Sequence, residues 1–204
     1  MKINKRSIYY SMVIKQGVYD GKLIHKRFAY EYFRKEVSPY GNIVAFRAPM
    51  YVKDALIDLE DTLSDDYIHS QDAINFCWEI PNLDPLGAVS FQRLLNTAIA
   101  NILAGIISKP IIIEGDDLMI QDEFIGSDEK VRKLGKASVS ITYSKDSVAL
   151  GHTGINIVAG KKAPGFAYST NLDDKAITYF INSVIEYFNS EVKDQFVATT
   201  KILV

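Results

Sequence analysis

Two acidic residues and a lysine stand at the ends of predicted strands, where side chains of this kind can do chemistry. Asp116 and Asp117 follow an apolar run, and Lys136 precedes a segment of alternating apolar and polar residues. Paired carboxylates can hold Mg²⁺ or a ribose hydroxyl, and a lysine can offset the charge that develops on a carboxylate or phosphate. The alternative is a solvated turn with surface charges. Lys133 is a second candidate for the same lysine position.

A histidine, a glycine and an asparagine follow one another at alternate positions of a later segment. In a strand, His152, Gly154 and Asn156 project toward the same side of the sheet. A glycine there leaves room for a ligand or for the close approach of another backbone. The pattern predicts ligand contacts by these three residues, while Asn156 could instead satisfy buried backbone groups and His152 could be structural.

Two arginines lie in otherwise apolar surroundings. Arg47 and Arg93 can each pair with a buried acid, for which 58–61 offers candidates, or clamp a carboxylate or phosphate. For Arg93 we expect the ion pair, and Arg47 is kept as a candidate ligand contact.

The single cysteine, Cys77, lies between aromatic residues and is predicted to be an inert buried thiol.

The elements that position these residues follow from hydrophobic periodicity and turn signals. The order predicts an α+β fold with a mixed, mostly antiparallel sheet and packed helices. A short helix within 50–70 is also expected, with Val52, Ala55, Leu56 and Leu59 on one face. We expect Gly105 to cap the central helix, Asn171 or Asp173 to begin the last one, and 144–146 to form a hairpin turn. The predicted strands are 7–14, 42–49, 73–81, 109–115, 116–121, 137–144 and 147–158; the predicted helices lie in 23–37, 85–105 and 173–194; and 122–136 is predicted to be a charged loop.

Composition restricts the class of protein. The chain has 204 residues, 48% hydrophobic residues and a formal net charge of -2. We expect one domain over 1–204 in a cytoplasmic, soluble protein that binds neither nucleic acid nor membrane. A homodimer formed through an exposed sheet edge is an expectation from physics alone.

The order of motifs resembles the catalytic domain of biotin and lipoate protein ligases, which share the core of class II synthetases. The segments that carry the resemblance are AVSFQRLLNTAIANILA, IIIEGDDLMI, KLGKASVSI and GHTGINIV, within roughly 73–200. The motifs LIDLED, FQRLL, GDDL, SVSI and GINI also resemble an uncharacterised, mainly archaeal family of similar length.

The ligase resemblance implies a site and cofactors. It places Lys136 or Lys133 at the ligase lysine, Asp116 and Asp117 beside a nucleotide with Mg²⁺, and Arg47 where ligases have nucleotide-loop arginines. ATP and Mg²⁺ are the implied cofactors, and a small carboxylate or nucleotide-like molecule is the implied ligand. The glycine-rich nucleotide loop of the ligases is absent, as is the cysteine nucleophile of the related octanoyltransferases. Two hypotheses follow: an enzyme that activates a carboxylate, and a binding or regulatory module without catalysis.

Overall fold

The part of the chain that the structure describes forms two β-sheets and four α-helices. The computed structural model describes residues 9–11, 17–125 and 130–202. The strands are β1 (Tyr9–Ser11), β2 (Asn42–Val52), β3 (Ile68–Pro81), β4 (Ile111–Glu114), β5 (Asp117–Ile125), β6 (Lys130–Lys136), β7 (Ser138–Lys145) and β8 (Val148–Val158). The α-helices are α1 (Phe28–Phe33), α2 (Leu59–Leu63), α3 (Pro85–Ile107) and α4 (Asp174–Thr199), and a 3-10 turn (Arg34–Glu36) follows α1.

The larger sheet has the strand order β1-β2-β3-β8-β7, and the smaller sheet has the order β4-β5-β6. Strand β1 runs parallel to β2, and the other pairs in both sheets are antiparallel. The α+β class with mostly antiparallel strands is therefore confirmed.

Helices α3 and α4 cover one face of the larger sheet. Asp84 begins α3 by accepting a hydrogen bond from the Gly87 N–H, and Pro85 occupies the first turn, where its missing N–H costs nothing. Fully buried Trp78 packs edge-on against Phe91 of α3, with ring centroids 5.3 Å apart. A Cβ atom at Gly151 would lie 2.2 Å from this indole, so glycine is needed there for the strand to pass the tryptophan.

The segment 17–37 covers the opposite face. Phe28 of α1 is fully buried there, in a second apolar cluster that also contains Cys77. Glu79 of β3 reaches this segment and accepts hydrogen bonds from the N–H groups of Arg27 and Ala29, at 2.9 and 3.3 Å. The larger sheet is thus covered on both faces, which explains why its central strands are almost continuously buried.

Several predicted elements differ from the structure. The stretch predicted as a charged loop, 122–136, contains the end of β5 and all of β6, because each strand supplies the other's backbone hydrogen bonds. Val52 belongs to β2, so the helix expected within 50–70 is reduced to Leu59–Leu63. Gly105 lies inside α3, which ends at Ser108 in a left-handed conformation.

Other expectations hold in part. The helix predicted within 23–37 is one short α-helix with a 3-10 turn, and Asp173 rather than Asn171 caps α4. The strand predicted over 7–14 is described only for 9–11. Within the described residues, no helix is long and apolar enough to cross a membrane.

Candidate functional site

A cavity of about 180 Å³, here called the main cleft, opens beside β7 and the turn that precedes β5. Its walls combine apolar side chains with a group of carboxylates. They come from the 19–24 segment, the 52–61 segment, the larger sheet and the start of the smaller sheet. The lining residues include Tyr19, Ile24, Val52, Leu56, Asp58, Glu60, Asp61, Asp116, Asp117, Lys136, Ile141 and His152.

Lys136 and the acidic pair come together at this cleft, as the sequence predicts. The Lys136 Nζ atom lies 2.8 Å from Asp117 Oδ1, and both side chains are about one-third exposed. Asp116 pairs instead with Arg93, at 3.1 Å. Burial raises the pKa of Asp116, and the Arg93 charge opposes that rise. The ion pair expected for Arg93 is therefore present, although its partner lies outside the 58–61 segment.

A buried polar network holds Asp116 in place. The Asn96 side chain donates to the Asp116 backbone carbonyl at 3.0 Å and to Ser140 Oγ at 3.1 Å. Gln92 also donates to Ser140 Oγ, at 2.9 Å, and Thr153 Oγ1 donates to Asn96 Oδ1 at 3.0 Å. This network is not predicted from the sequence. The detectable signal was the spacing of Gln92 and Asn96, four residues apart within the apolar stripe of α3.

His152 is buried at the wall of the main cleft with a fixed tautomer. The Asn75 amide nitrogen donates to the carbonyls of Ala48 and Ala73, so Asn75 Oδ1 accepts from His152 Nε2, at 2.9 Å. The imidazole stacks on Tyr19, with ring centroids 4.2 Å apart. Burial lowers the pKa of His152 to about 3. His152 is therefore a neutral, largely structural wall of the cleft.

The remaining predicted residues occupy different places. The space beside Gly154 is filled by Met50, whose Sδ atom would lie 2.6 Å from an added Cβ. Arg47 lines neither the main cleft nor the neighbouring cavity described below. Its guanidinium binds Asp72 through Nε and Nη2 and Asp174 through Nη1. Lys133 lies opposite Asp122 in the β5–β6 register, and its side chain is outside the described part of the structure.

Asn156 lines a second cavity of about 180 Å³, here called the side cavity. It shares Asp61, Ile68, Lys136 and Val139 with the main cleft, so the two cavities meet at these residues. The other lining residues are Asp66, Tyr67, His69, Ser138, Asn156, Pro164, Phe166 and Ala167.

The described residues contain no group of three or more His, Cys, Asp or Glu side chains arranged to hold a metal ion. Asp116 and Asp117 nevertheless suit Mg²⁺ in one respect. This ion is commonly bound by one or two carboxylates together with substrate phosphates, rather than by a cage made only of protein atoms. Both carboxylates already contact basic side chains, Asp116 that of Arg93 and Asp117 that of Lys136, and a bound Mg²⁺ would have to share them.

Comparison with solved structures shows where related folds occur. A protein of unknown function from Pyrococcus horikoshi is similar over 96% of this chain and 99% of its own, with a TM-score of 0.73 and 22% identity. At TM-scores below 0.5, the chain is also similar to biotin and lipoate protein ligases. Biotin protein ligase from Aquifex aeolicus, in complex with biotin and ATP, has a TM-score of 0.46 and 13% identity over 74% of this chain and 60% of its own. The bi-partite lipoate protein ligase from Thermoplasma acidophilum has a TM-score of 0.44 and 15% identity over 75% and 72%.

Sequence comparison assigns the family. No functionally curated protein matches the chain significantly. The profile of a domain of unknown function, DUF366, matches residues 8–203, which is almost the whole chain. The protein therefore belongs to the DUF366 family.

Proposed function

We propose that the protein binds a small carboxylate-bearing molecule in the main cleft and that Lys136 contacts the carboxylate. The supporting observation is the position of Lys136, which lines both cavities and is the only Lys or Arg among their described lining residues. Its ammonium group has three donors, and the contact with Asp117 uses one of them. Two donors are left for a ligand carboxylate.

The rest of the main cleft suits an apolar ligand chain. Ile24, Val52, Leu56 and Ile141 provide aliphatic surface, and a buried methylene gains about 0.8 kcal/mol. The volume of about 180 Å³ is smaller than the roughly 300–1,000 Å³ of pockets that hold drug-sized ligands. We therefore infer a short aliphatic acid or a molecule of similar size.

Charge balance adds a condition. Asp58, Glu60, Asp61, Asp116 and Asp117 line the main cleft, against one described basic residue. This excess of carboxylates weakens the binding of an anionic ligand, although Lys136 offsets part of the repulsion. A positive group that accompanies the ligand carboxylate, as Mg²⁺ or as part of the ligand itself, would therefore strengthen binding.

The adjacent Asp116 and Asp117 favour a second candidate function, carboxylate activation with ATP and Mg²⁺. In this reaction a carboxylate oxygen attacks the α-phosphorus of ATP, forming an acyl–phosphate bond and breaking the bridging P–O bond, so that pyrophosphate leaves. Bound Mg²⁺ would offset charge on the phosphates. Lys136 would orient the carboxylate and stabilise the developing charge. Exchange of labelled pyrophosphate into ATP, dependent on an added carboxylate, tests this function; its absence would leave a non-catalytic binding module.

A thermal-shift measurement with hexanoate tests carboxylate binding itself. A ligand that binds the folded state raises the melting temperature in a concentration-dependent way. We expect hexanoate to stabilise the wild-type protein and not Lys136→Ala. Lys26→Ala is a matched control, because Lys26 has the same 31% side-chain exposure and pairs with Asp146 at 2.9 Å, yet lines neither cavity. Equal shifts for wild type and Lys136→Ala would contradict the proposal.

A further inference from the structure

The junction of the two cavities carries an unbalanced negative charge. Asp61 lines both cavities and forms no ion pair with any described residue, and Asp66 adds a carboxylate to the side cavity. Burial raises the pKa of Asp61, and the neighbouring Asp58 and Asp66 raise it further. A positive charge placed at this junction would be attracted by Asp61 and Asp66, with Lys136 opposing it on one side.

An independent observation in the side cavity also indicates a hydrogen-bond donor. Asn156 is only 4% exposed, and its Oδ1 atom has no hydrogen-bond partner among the described residues. A buried acceptor without a partner costs about 1–3 kcal/mol. A ligand donor that reaches Asn156 Oδ1 would remove this cost.

The side walls favour an organic cation over a metal ion. Tyr67 and Phe166 line the side cavity, and these residues are 41% and 56% exposed. Aromatic faces attract ammonium groups, whereas the described residues offer no cluster of three metal-ligating side chains. An ammonium group can donate three hydrogen bonds, which matches the carboxylates and the free amide oxygen.

We propose that the side cavity binds the positively charged amine of the same ligand, held by Asp61 and by Asn156 Oδ1. The ligand would then be a small zwitterion whose carboxylate contacts Lys136. This inference rests on the proposed function for the position of the carboxylate. It also explains how a cleft with excess negative charge could accept a carboxylate ligand without a metal ion.

Titration calorimetry with three probes of equal chain length tests the amine site. Hexanoate has only the carboxylate, hexylamine has only the amine, and 2-aminohexanoate has both, with the amine beside the carboxylate. We expect 2-aminohexanoate to bind wild type about tenfold more tightly than hexanoate, the size of one hydrogen bond between charged groups. Asp61→Asn should abolish this preference while hexanoate binding is retained.

Asp65→Asn is the matched control, because Asp65 is an exposed acid four residues after Asp61 that lines neither cavity. This variant should keep the preference for 2-aminohexanoate. Equal binding of hexanoate and 2-aminohexanoate to wild type, or an unchanged preference in Asp61→Asn, would overturn the amine site. So would displacement of 2-aminohexanoate by Mg²⁺ alone in an Asp61-dependent way, because the cation would then be a metal ion. Absence of binding by every probe at millimolar concentration would also overturn it.

The two proposals fail in different ways. Hexanoate binding that depends on Lys136, with no gain from the amine, would leave the proposed function and remove the amine site. Amine binding that depends on Asp61 but is unchanged in Lys136→Ala would support the amine site and contradict the proposed role of Lys136 in carboxylate binding.

Discussion

His152 makes the stability of the protein depend on pH in a way that one substitution can isolate. Its pKa in the folded state is about 3, against 6.5 for the exposed residue, because burial disfavours the charged imidazole. Between these values the unfolded chain binds a proton that the folded chain excludes. The free energy of unfolding must therefore fall as the pH is lowered from 6.5 toward 3. With these two pKa values, the His152 contribution to the loss between pH 7 and pH 5 is about 2 kcal/mol.

Urea unfolding at pH 7 and pH 5 measures this contribution. Wild type should lose about 2 kcal/mol more on acidification than His152→Gln, whose side chain does not titrate. Carboxylate titrations are common to both proteins and cancel in this difference. His25→Gln, which alters an exposed histidine, is the control and should behave as wild type. If His152→Gln loses as much stability as wild type between the two pH values, the conclusion that His152 is buried and neutral in the folded state is wrong.

Two further predictions concern glycine positions and the ion pair of Arg47. Gly151→Ala should lower the free energy of unfolding by about 3 kcal/mol, because the new Cβ atom would lie 2.2 Å from the buried Trp78 ring. Gly105→Ala in α3, with no atom within 4 Å of its added Cβ, should instead raise the free energy of unfolding by about 1 kcal/mol. Urea unfolding of the two variants should therefore show changes of opposite sign. A Gly151→Ala variant as stable as wild type would contradict the close contact between Gly151 and Trp78. Arg47→Met should cost about 2 kcal/mol by leaving the half-buried Asp72 unpaired. Hexanoate binding should be unchanged in this variant, and a loss of binding measured by calorimetry would show that Arg47 serves the cleft after all.

The sequence predicts the elements whose signals are local. The start of α3 at Pro85 is predicted, and Asp173 is one of the two caps predicted for α4, because the start of a helix depends on a few neighbouring residues. The hairpin between β7 and β8 is also predicted, although its two turn residues with positive φ are Asp146 and Ser147. The smaller sheet is not fully predicted, because a charged composition does not reveal which strand will supply the backbone partners of 122–136.

In the candidate site, too, features with local sequence signals are predicted and features that depend on long-range packing are not. Asp117 and Lys136 belong to neighbouring strands of one antiparallel sheet, so a resemblance in the order of elements was enough to bring them together. The sequence indicates Asp61 only as a candidate arginine partner, because its position at the cleft depends on how the 52–61 segment packs against residues distant in the sequence. Gly154 is a different case. The alternation of residues along the strand predicts which side of the sheet Gly154 faces, but it does not predict that Met50 fills the space beside it.

A crystal structure of the protein soaked with hexanoate would show whether Lys136 binds the ligand carboxylate. We expect density for the molecule in the main cleft, with a carboxylate oxygen about 2.7–2.9 Å from Lys136 Nζ, the usual length of such a bond, and its chain against Ile24 and Ile141. Hexanoate bound elsewhere while the main cleft stays empty, or hexanoate in the cleft with its carboxylate turned away from Lys136, would refute carboxylate binding by Lys136.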